Sequence, residues 1–400
     1  MAMKVRAIKV RVLLSSVVLL ATLWLASCGH YTCGITFGSS TCSSSGSGIS
    51  QGGGTTGSGV TAYVYYMDDK AGQITSESYN VSGSGTFVPT SGFASPALAP
   101  PTTPDFGMVT LDEAYLYVPF ANDALYGFSI DSTDGALTAV SAAPYLIQAP
   151  TAIAADPNGA VLFIGGSGGI TAFTVNANDG TLTVAGSGTT GGLSPTQLTT
   201  DGLGLYVYAV TPTAIYAFSY TGAGALTPVT NSPFSFSLAQ ISGEKTGKFL
   251  LGITAQDGAI GGVVDNSIYM FAIGTGGALT QLPTTTTVYS PIYMTVSPNG
   301  AFVYTFNENA ALGSTQPDPM EGYTITSSGT LTPILGSPFA SLAAAIGKFD
   351  QSGQNLFVDA VDSGVGGAFV YTADPTAGGL SSTLPQIGFP SFSFAVTDVP

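Results

Sequence analysis

From residue 61 onward apolar side chains fall in short runs, four to six long, each closed by glycine, proline, asparagine or aspartate. Residues 152–175 show the pattern best. Ala152-Ile153-Ala154-Ala155 is followed by the turn Asp156-Pro157-Asn158-Gly159, then by Val161-Leu162-Phe163-Ile164 and by Ile170-Thr171-Ala172-Phe173-Thr174-Val175. Runs this short, bounded by Asn-Gly or Asp-Gly, predict β-hairpins, because such turns need a positive φ that glycine, asparagine and aspartate adopt at low cost. A fourth word closes the unit: Gly135-Ala136-Leu137-Thr138, Gly180-Thr181-Leu182-Thr183, Gly224-Ala225-Leu226-Thr227, Gly277-Ala278-Leu279-Thr280 and Gly329-Thr330-Leu331-Thr332. Weaker copies stand at Phe87 and Leu380, and successive copies lie 44 to 53 residues apart. Seven units of four short strands predict an all-β, seven-bladed β-propeller with four antiparallel strands per blade.

The first unit opens on Ala62-Tyr63-Val64-Tyr65-Tyr66, the second-strand word of later units, so its innermost strand is missing. Phe392-Ser393-Phe394-Ala395-Val396-Thr397 is an extra inner-strand word with no unit after it. The expected ring is therefore closed by the C-terminal strand pairing into blade one, which removes two open sheet edges. The words Asp-Pro-Asn-Gly and Ser-Pro-Asn-Gly at 156–159 and 297–300, Ile-Tyr-x-Phe at 215–218, and Ser-Pro-Phe at 232–234 and 337–339 resemble the lactonase-type propellers, the phosphogluconolactonase-like and YVTN-repeat relatives. That resemblance spans residues 61–398 and implies lactone-ring hydrolysis at the central channel.

The amino terminus adds an address. Lys4, Arg6, Lys9 and Arg11 precede an apolar run from Val12 to Trp24 and then Leu25-Ala26-Ser27-Cys28-Gly29. At about 13 residues the run is shorter than the ~20 needed to span a bilayer, so residues 1–27 read as a secretory signal. The ending resembles a bacterial lipoprotein signal, which implies lipidation of Cys28 and an anchor in the cell envelope, at the outer membrane on its periplasmic or surface face. Residues 28–60 form a Gly/Ser/Thr-rich tether, whose flexible reach of roughly 30 Å would hold a domain clear of the headgroups. Cys33 and Cys42 lie in this tether, where a small-loop disulfide and two unbonded thiols both stay open. The propeller domain then covers 61–400.

Charge narrows the function. Only 8% of residues are charged and the net charge is −15, so nucleic acid, which requires clustered Lys and Arg, is excluded as a partner. The chain past residue 30 has no histidine and no arginine, and its lysines are Lys70, Lys245, Lys248 and Lys348. A serine-hydrolase triad has no base there, and a phosphosugar has no cluster of fixed cations. Lys245, Lys248 and Lys348 are expected in turns between first and second strands. Gly165-Gly166-Ser167-Gly168-Gly169 precedes a strand and lacks the helix end that holds phosphate. The longest loops are expected on one face of blades five and six and carry Asp257, Asp265, Glu308, Asp318 and Glu321, with Asp359 and Asp362 of blade seven and Asp68 and Asp69 of blade one continuing the arc. Such a sector suits a cation, calcium foremost, or a cationic or polyhydroxyl ligand. No other cofactor is expected. The leading expectation is a monomeric, lipid-anchored, non-catalytic module that binds an envelope protein or a carbohydrate. The alternatives are a lactonase-like hydrolase of sugar lactones and a purely structural envelope scaffold.

Overall fold

The computed structural model describes residues 62–68, 73–79, 87–89, 109–111, 113–120, 123–254, 266–287, 290–308, 320–339, 343–362, 365–387 and 394–398. All of them fall in one compact unit, Gly57–Pro400. The first blade holds β1 (Ala62–Asp68), β2 (Gln73–Tyr79) and β3 (Phe87–Pro89). The second holds β4 (Val109–Leu111), β5 (Tyr115–Phe120), β6 (Ala124–Ile130) and β7 (Leu137–Ala139), with β8 (Tyr145–Leu146) pairing back onto β6. The third holds β9 (Ala152–Ala155), β10 (Val161–Gly166), β11 (Gly169–Val175) and β12 (Leu182–Thr189). The fourth holds β13 (Gln197–Thr200), β14 (Tyr206–Val210), β15 (Ile215–Tyr220) and β16 (Leu226–Pro228). The fifth holds β17 (Gln240–Gly243), β18 (Phe249–Ile253), β19 (Ser267–Ile273) and β20 (Leu279–Gln281), with β21 (Thr285–Thr286) beside β19. The sixth holds β22 (Ser290–Val296), β23 (Phe302–Glu308), β24 (Met320–Ile325) and β25 (Leu331–Pro333). The seventh holds β26 (Ala343–Phe349), β27 (Asn355–Asp362), β28 (Val365–Ala373) and β29 (Leu380–Ile387). The last strand, β30 (Phe394–Asp398), lies antiparallel to β1 from Ala62↔Asp398 to Tyr66↔Phe394.

The architecture is an all-β propeller of four-stranded antiparallel blades. First strands neighbour one another in succession: β4 with β9, β9 with β13, β13 with β17, β17 with β22 and β22 with β26, while β30 touches both β26 and β4. The apolar core is therefore split among the seams between blades. One cluster joins Tyr115, Tyr117 and Leu125 of the second blade to Leu162, Ile164 and Phe173 of the third. Another joins Leu251, Ile253, Ile268 and Met270 of the fifth to Val303 and Tyr323 of the sixth.

Two repeated devices explain the sequence words. At the end of the first strand an acidic side chain takes up the amides of the turn and of the strand that follows: Asp201 Oδ1 accepts from Leu205 N and Tyr206 N, both at 2.7 Å, and Asp350 Oδ1 accepts from Asn355 N at 3.0 Å. Across the seams, tyrosine hydroxyls of second strands donate to the glycine carbonyl of the Gly-x-Leu-Thr word in the next blade. Tyr65 reaches Gly135 at 2.9 Å, Tyr117 reaches Gly180 at 2.7 Å, Tyr208 reaches Gly277 at 3.0 Å and Tyr304 reaches Gly378 at 2.7 Å. Gly180 is held to glycine twice over: its φ is +69°, and an added Cβ would meet the Tyr115 ring at 2.5 Å.

Several local expectations change. Lys348 lies inside β26 and not in a turn, because the first strand of blade seven runs on to Phe349. Gly165 and Gly166 belong to β10 and Gly169 to β11, so that glycine run is a hairpin turned by Ser167 and Gly168. Glu308 ends β23, Glu321 lies within β24, and Asp359 and Asp362 lie within β27. These strands outrun their apolar words because ladder pairing continues through acidic positions, as at Thr305↔Glu321 and Asp362↔Val365.

Candidate functional site

Where the first strands of blades four, five and six meet, they wall a cavity of about 470 Å3. Its lining combines β13 (Gln197 to Thr200), β17 (Gln240 to Gly243) and the later part of β22 (Tyr293 to Val296) with the turns that follow each of them. The polar side chains along it are mostly amides and hydroxyls. Neighbouring first strands share no backbone ladder, so their edge amides and carbonyls need other partners. Gln240 supplies them: its Oε1 accepts from Met294 N at 2.6 Å and its Nε2 donates to Met294 O at 2.9 Å. Gln197 does half of this, with Oε1 accepting from Ile241 N, which leaves its amide donors for an occupant of the cavity. Thr199 Oγ1 accepts from Gly243 N at 3.2 Å. These bonds fix the side chains that face the cavity before anything binds.

Burial pushes the Tyr293 hydroxyl up to about 12, against a hydrogen bond with Gln240 that acts in the opposite direction. It is a neutral donor and acceptor at any physiological pH. Lys245, exposed on the turn after β17, is the cation of the lining. Lys348, on the first strand of blade seven, is pushed down to about 8 by desolvation. Two buried carboxylates, Glu244 and Asp201, stand at the cavity end, and each accepts backbone amides. Glu244 accepts from Thr246 N, Lys248 N and Phe249 N, and Asp201 holds the start of β14.

Of the acidic positions singled out in the sequence, only Glu321 has a described side chain. It is buried, with Oε1 accepting from the Tyr323 hydroxyl at 2.8 Å and Oε2 from Asn307 Nδ2 at 3.3 Å. Asp257, Asp265 and Asp318 lie outside the described residues, as do Cys28, Cys33 and Cys42, and Glu308, Asp359 and Asp362 are described in backbone only. Among the described residues no group of three His, Cys, Asp or Glu side chains converges on a metal position. The cavity glutamines were missed in the sequence. Their signal was an amide opening the inner-strand words Gln197-Leu-Thr-Thr and Gln240-Ile-Ser-Gly, at the place where blade three carries alanine in Ala152-Ile-Ala-Ala.

Comparison with known proteins agrees with this fold. Residues 117–233 match the family model described as lactonase, 7-bladed beta-propeller. The periplasmic gluconolactonase PpgL of Pseudomonas aeruginosa superposes with a TM-score of 0.65 at 16% identity, over 85% of this chain and 99% of that one. A protein from Bacteroides fragilis NCTC 9343, provisionally assigned as a 6-phosphogluconolactonase, gives 0.64 at 18% identity over 84% and 98%. A protein from Lactobacillus plantarum gives 0.64 at 16% over 84% and 99%. No curated protein sequence matches the chain. The chain carries a β-propeller of the fold seen in these structures, and its residues 117–233 match the lactonase propeller family. At these identities the likeness to solved structures speaks for the fold alone, and function must be argued from the site.

Proposed function

We propose that this chain is a binding module for a neutral polyhydroxylated small molecule, a sugar or its lactone, taken up in the cavity walled by β13, β17 and β22. One observation carries the reading: the polar side chains of the cavity are mostly amides and hydroxyls, with one lysine at its rim and the carboxylates of Asp201 and Glu244 at its end. Such a lining pairs with hydroxyl and ring-oxygen groups and lacks the cation cluster that a phosphorylated sugar requires. In this reading the seven sheets form a seven-bladed ring fastened by β30 on β1, and a lipid on Cys28 displays the ring at the cell envelope through the 28–60 tether. Titration calorimetry with gluconolactone, gluconate and their 6-phosphates tests it. Binding of the unphosphorylated pair, weakened tenfold or more by Gln197→Leu, is the expected result. Tighter binding of the phosphates would overturn it.

Lactone hydrolysis is the second reading, favoured by the family match over 117–233 and by an inner-strand lysine, Lys348, brought near 8 by burial. A group with that pKa can exchange a proton near neutrality. Acid release from gluconolactone in a pH-stat, well above buffer hydrolysis and lost in Lys348→Met, would favour hydrolysis over simple binding.

A further inference from the structure

The seam between the fifth and sixth blades changes character along its length. Near the turns that join first to second strands it is apolar, with Leu251, Ile253, Ile268 and Met270 packed on Val303 and Tyr323. Strand alternation carries the same faces onward: Thr305 and Asn307 follow Val303 on β23, and Glu321 precedes Tyr323 on β24. Thr305 and Glu321 are direct cross-strand partners. On the facing blade Asn266 stands just before β19, on the parity of Ile268 and Met270. The far end of this seam is therefore polar, yet it is closed to solvent: Thr305 is 0% exposed, Asn307 1% and Glu321 3%.

A closed polar end demands partners, and two of its oxygens find none in the protein. Thr305 Oγ1 and Asn266 Oδ1 are buried atoms with no hydrogen-bond partner in the protein. Tyr323 Oη and Asn307 Nδ2 are both directed at the Glu321 carboxylate. Leaving such oxygens unpaired costs about 1–3 kcal/mol each, so the site calls for something that several oxygens can share. A carboxylate, an amide oxygen and a hydroxyl are hard donors, and a calcium-sized ion accepts six to eight such ligands in flexible geometry.

We propose that the polar end of the blade five–six seam binds a calcium-type cation through Glu321, Thr305 and Asn266. One carboxylate among neutral oxygens makes a weak site, of the kind filled at extracellular calcium levels, roughly 10⁻⁴–10⁻³ M. The site lies within a seam, apart from the cavity walled by first strands, so it stands whether or not that cavity binds sugars. Tyr323, whose hydroxyl touches Glu321, provides a reporter, because terbium in a calcium site next to a tyrosine emits when the ring is excited.

The experiment uses the full chain, stripped with chelator. Tyrosine-sensitised terbium emission that millimolar calcium displaces and magnesium does not is the expected result. Calcium should also raise the melting temperature by roughly 2–5 °C at a hundredfold excess over its dissociation constant. Glu321→Gln should abolish both signals and Thr305→Val should weaken both at least fivefold. If the glutamine variant does not fold, the valine variant decides. Absence of calcium-specific emission in the parent chain, or full retention of both signals in Thr305→Val, would mean that buried water fills this end of the seam, and the proposal fails.

Discussion

Asp201 and Asp156 hold the same position in consecutive blades, but only one of them is satisfied. Asp156 Oδ1 accepts from the Tyr220 hydroxyl at 2.9 Å, across the seam from blade four. Tyr220 is the last residue of β15, and its amide bonds to Leu205 O. The matching residue of blade five is Ile273, whose amide bonds to Lys248 O. Isoleucine offers no hydroxyl, and Asp201 Oδ2 is left buried without a partner while the residue is 1% exposed. Ile273→Tyr should therefore supply the missing donor. A hydrogen bond to a carboxylate contributes about 1.5–3 kcal/mol. Losing the partly buried isoleucine and ordering a larger ring cost about 1 kcal/mol, so a net gain near 1 kcal/mol is expected. In a domain of this size that is a rise of roughly 1–2 °C. Calorimetry on Ile273→Tyr and Ile273→Phe side by side isolates the hydroxyl, and Tyr220→Phe should show the reverse loss at Asp156. Equal melting of the tyrosine and phenylalanine variants would refute the reasoning, since the ring alone would then account for the whole effect.

Three further outcomes follow from the same geometry. The Lys348 amine has a folded pKa near 8 against an ordinary 10.5, so its contribution is lost as pH falls through 8 and is fully present only above 10.5. Urea titrations should show stability rising by about 1–3 kcal/mol from pH 7 to pH 10, and Lys348→Met should flatten that rise. Above pH 10 the tyrosines act in the opposite sense: the raised values of Tyr65, Tyr117, Tyr208 and Tyr293 favour the protonated native form, so stability falls there. Gly180→Ala should lose at least 2 kcal/mol in the same titration, because its Cβ would overlap the Tyr115 ring at a positive φ. Truncation before Phe394 should lower the melting temperature of the whole domain by many degrees, because it strips the backbone partners from β1. A truncated chain that melts with the parent would show that this pairing adds little.

The repeat words were readable because a hairpin turn restricts its residues locally. Asp156-Pro157-Asn158-Gly159 announces β10 without reference to any other part of the chain. Positions set by the neighbouring blade were harder to see. Gly180 reads as a turn glycine, yet half of its constraint is the ring of Tyr115, 65 residues earlier. Gln240 reads as an ordinary polar residue, and its role depends on Met294 in the next blade. Glu321 looked like a loop acid because an acidic residue at an inward strand position violates alternation, and only the Thr305 pairing places it inside. Ser232 and Ser337 were legible as part of a recurring word but not as acceptors. Their hydroxyls take the third-strand amides of Ala217 at 2.9 Å and Gly322 at 3.0 Å, where the short fourth strand has ended.

The tyrosine-to-glycine bonds across the seams bear on how such a propeller comes apart and how it is inherited. Each joins residues 63 to 74 positions apart, further than one repeat, so no blade is complete in isolation. Swinging one tied blade away would orphan a buried hydroxyl on one side of the seam and a buried carbonyl on the other, and amide exchange in the second strands should therefore report joint opening of the blades so tied, the first with the second and third, the fourth with the fifth and the sixth with the seventh. For the gene, the unit to keep intact is the seam. Gain or loss of a stretch running from one second-strand tyrosine to the next leaves every donor with an acceptor, whereas a cut at the visible edge of a sheet breaks two seams at once.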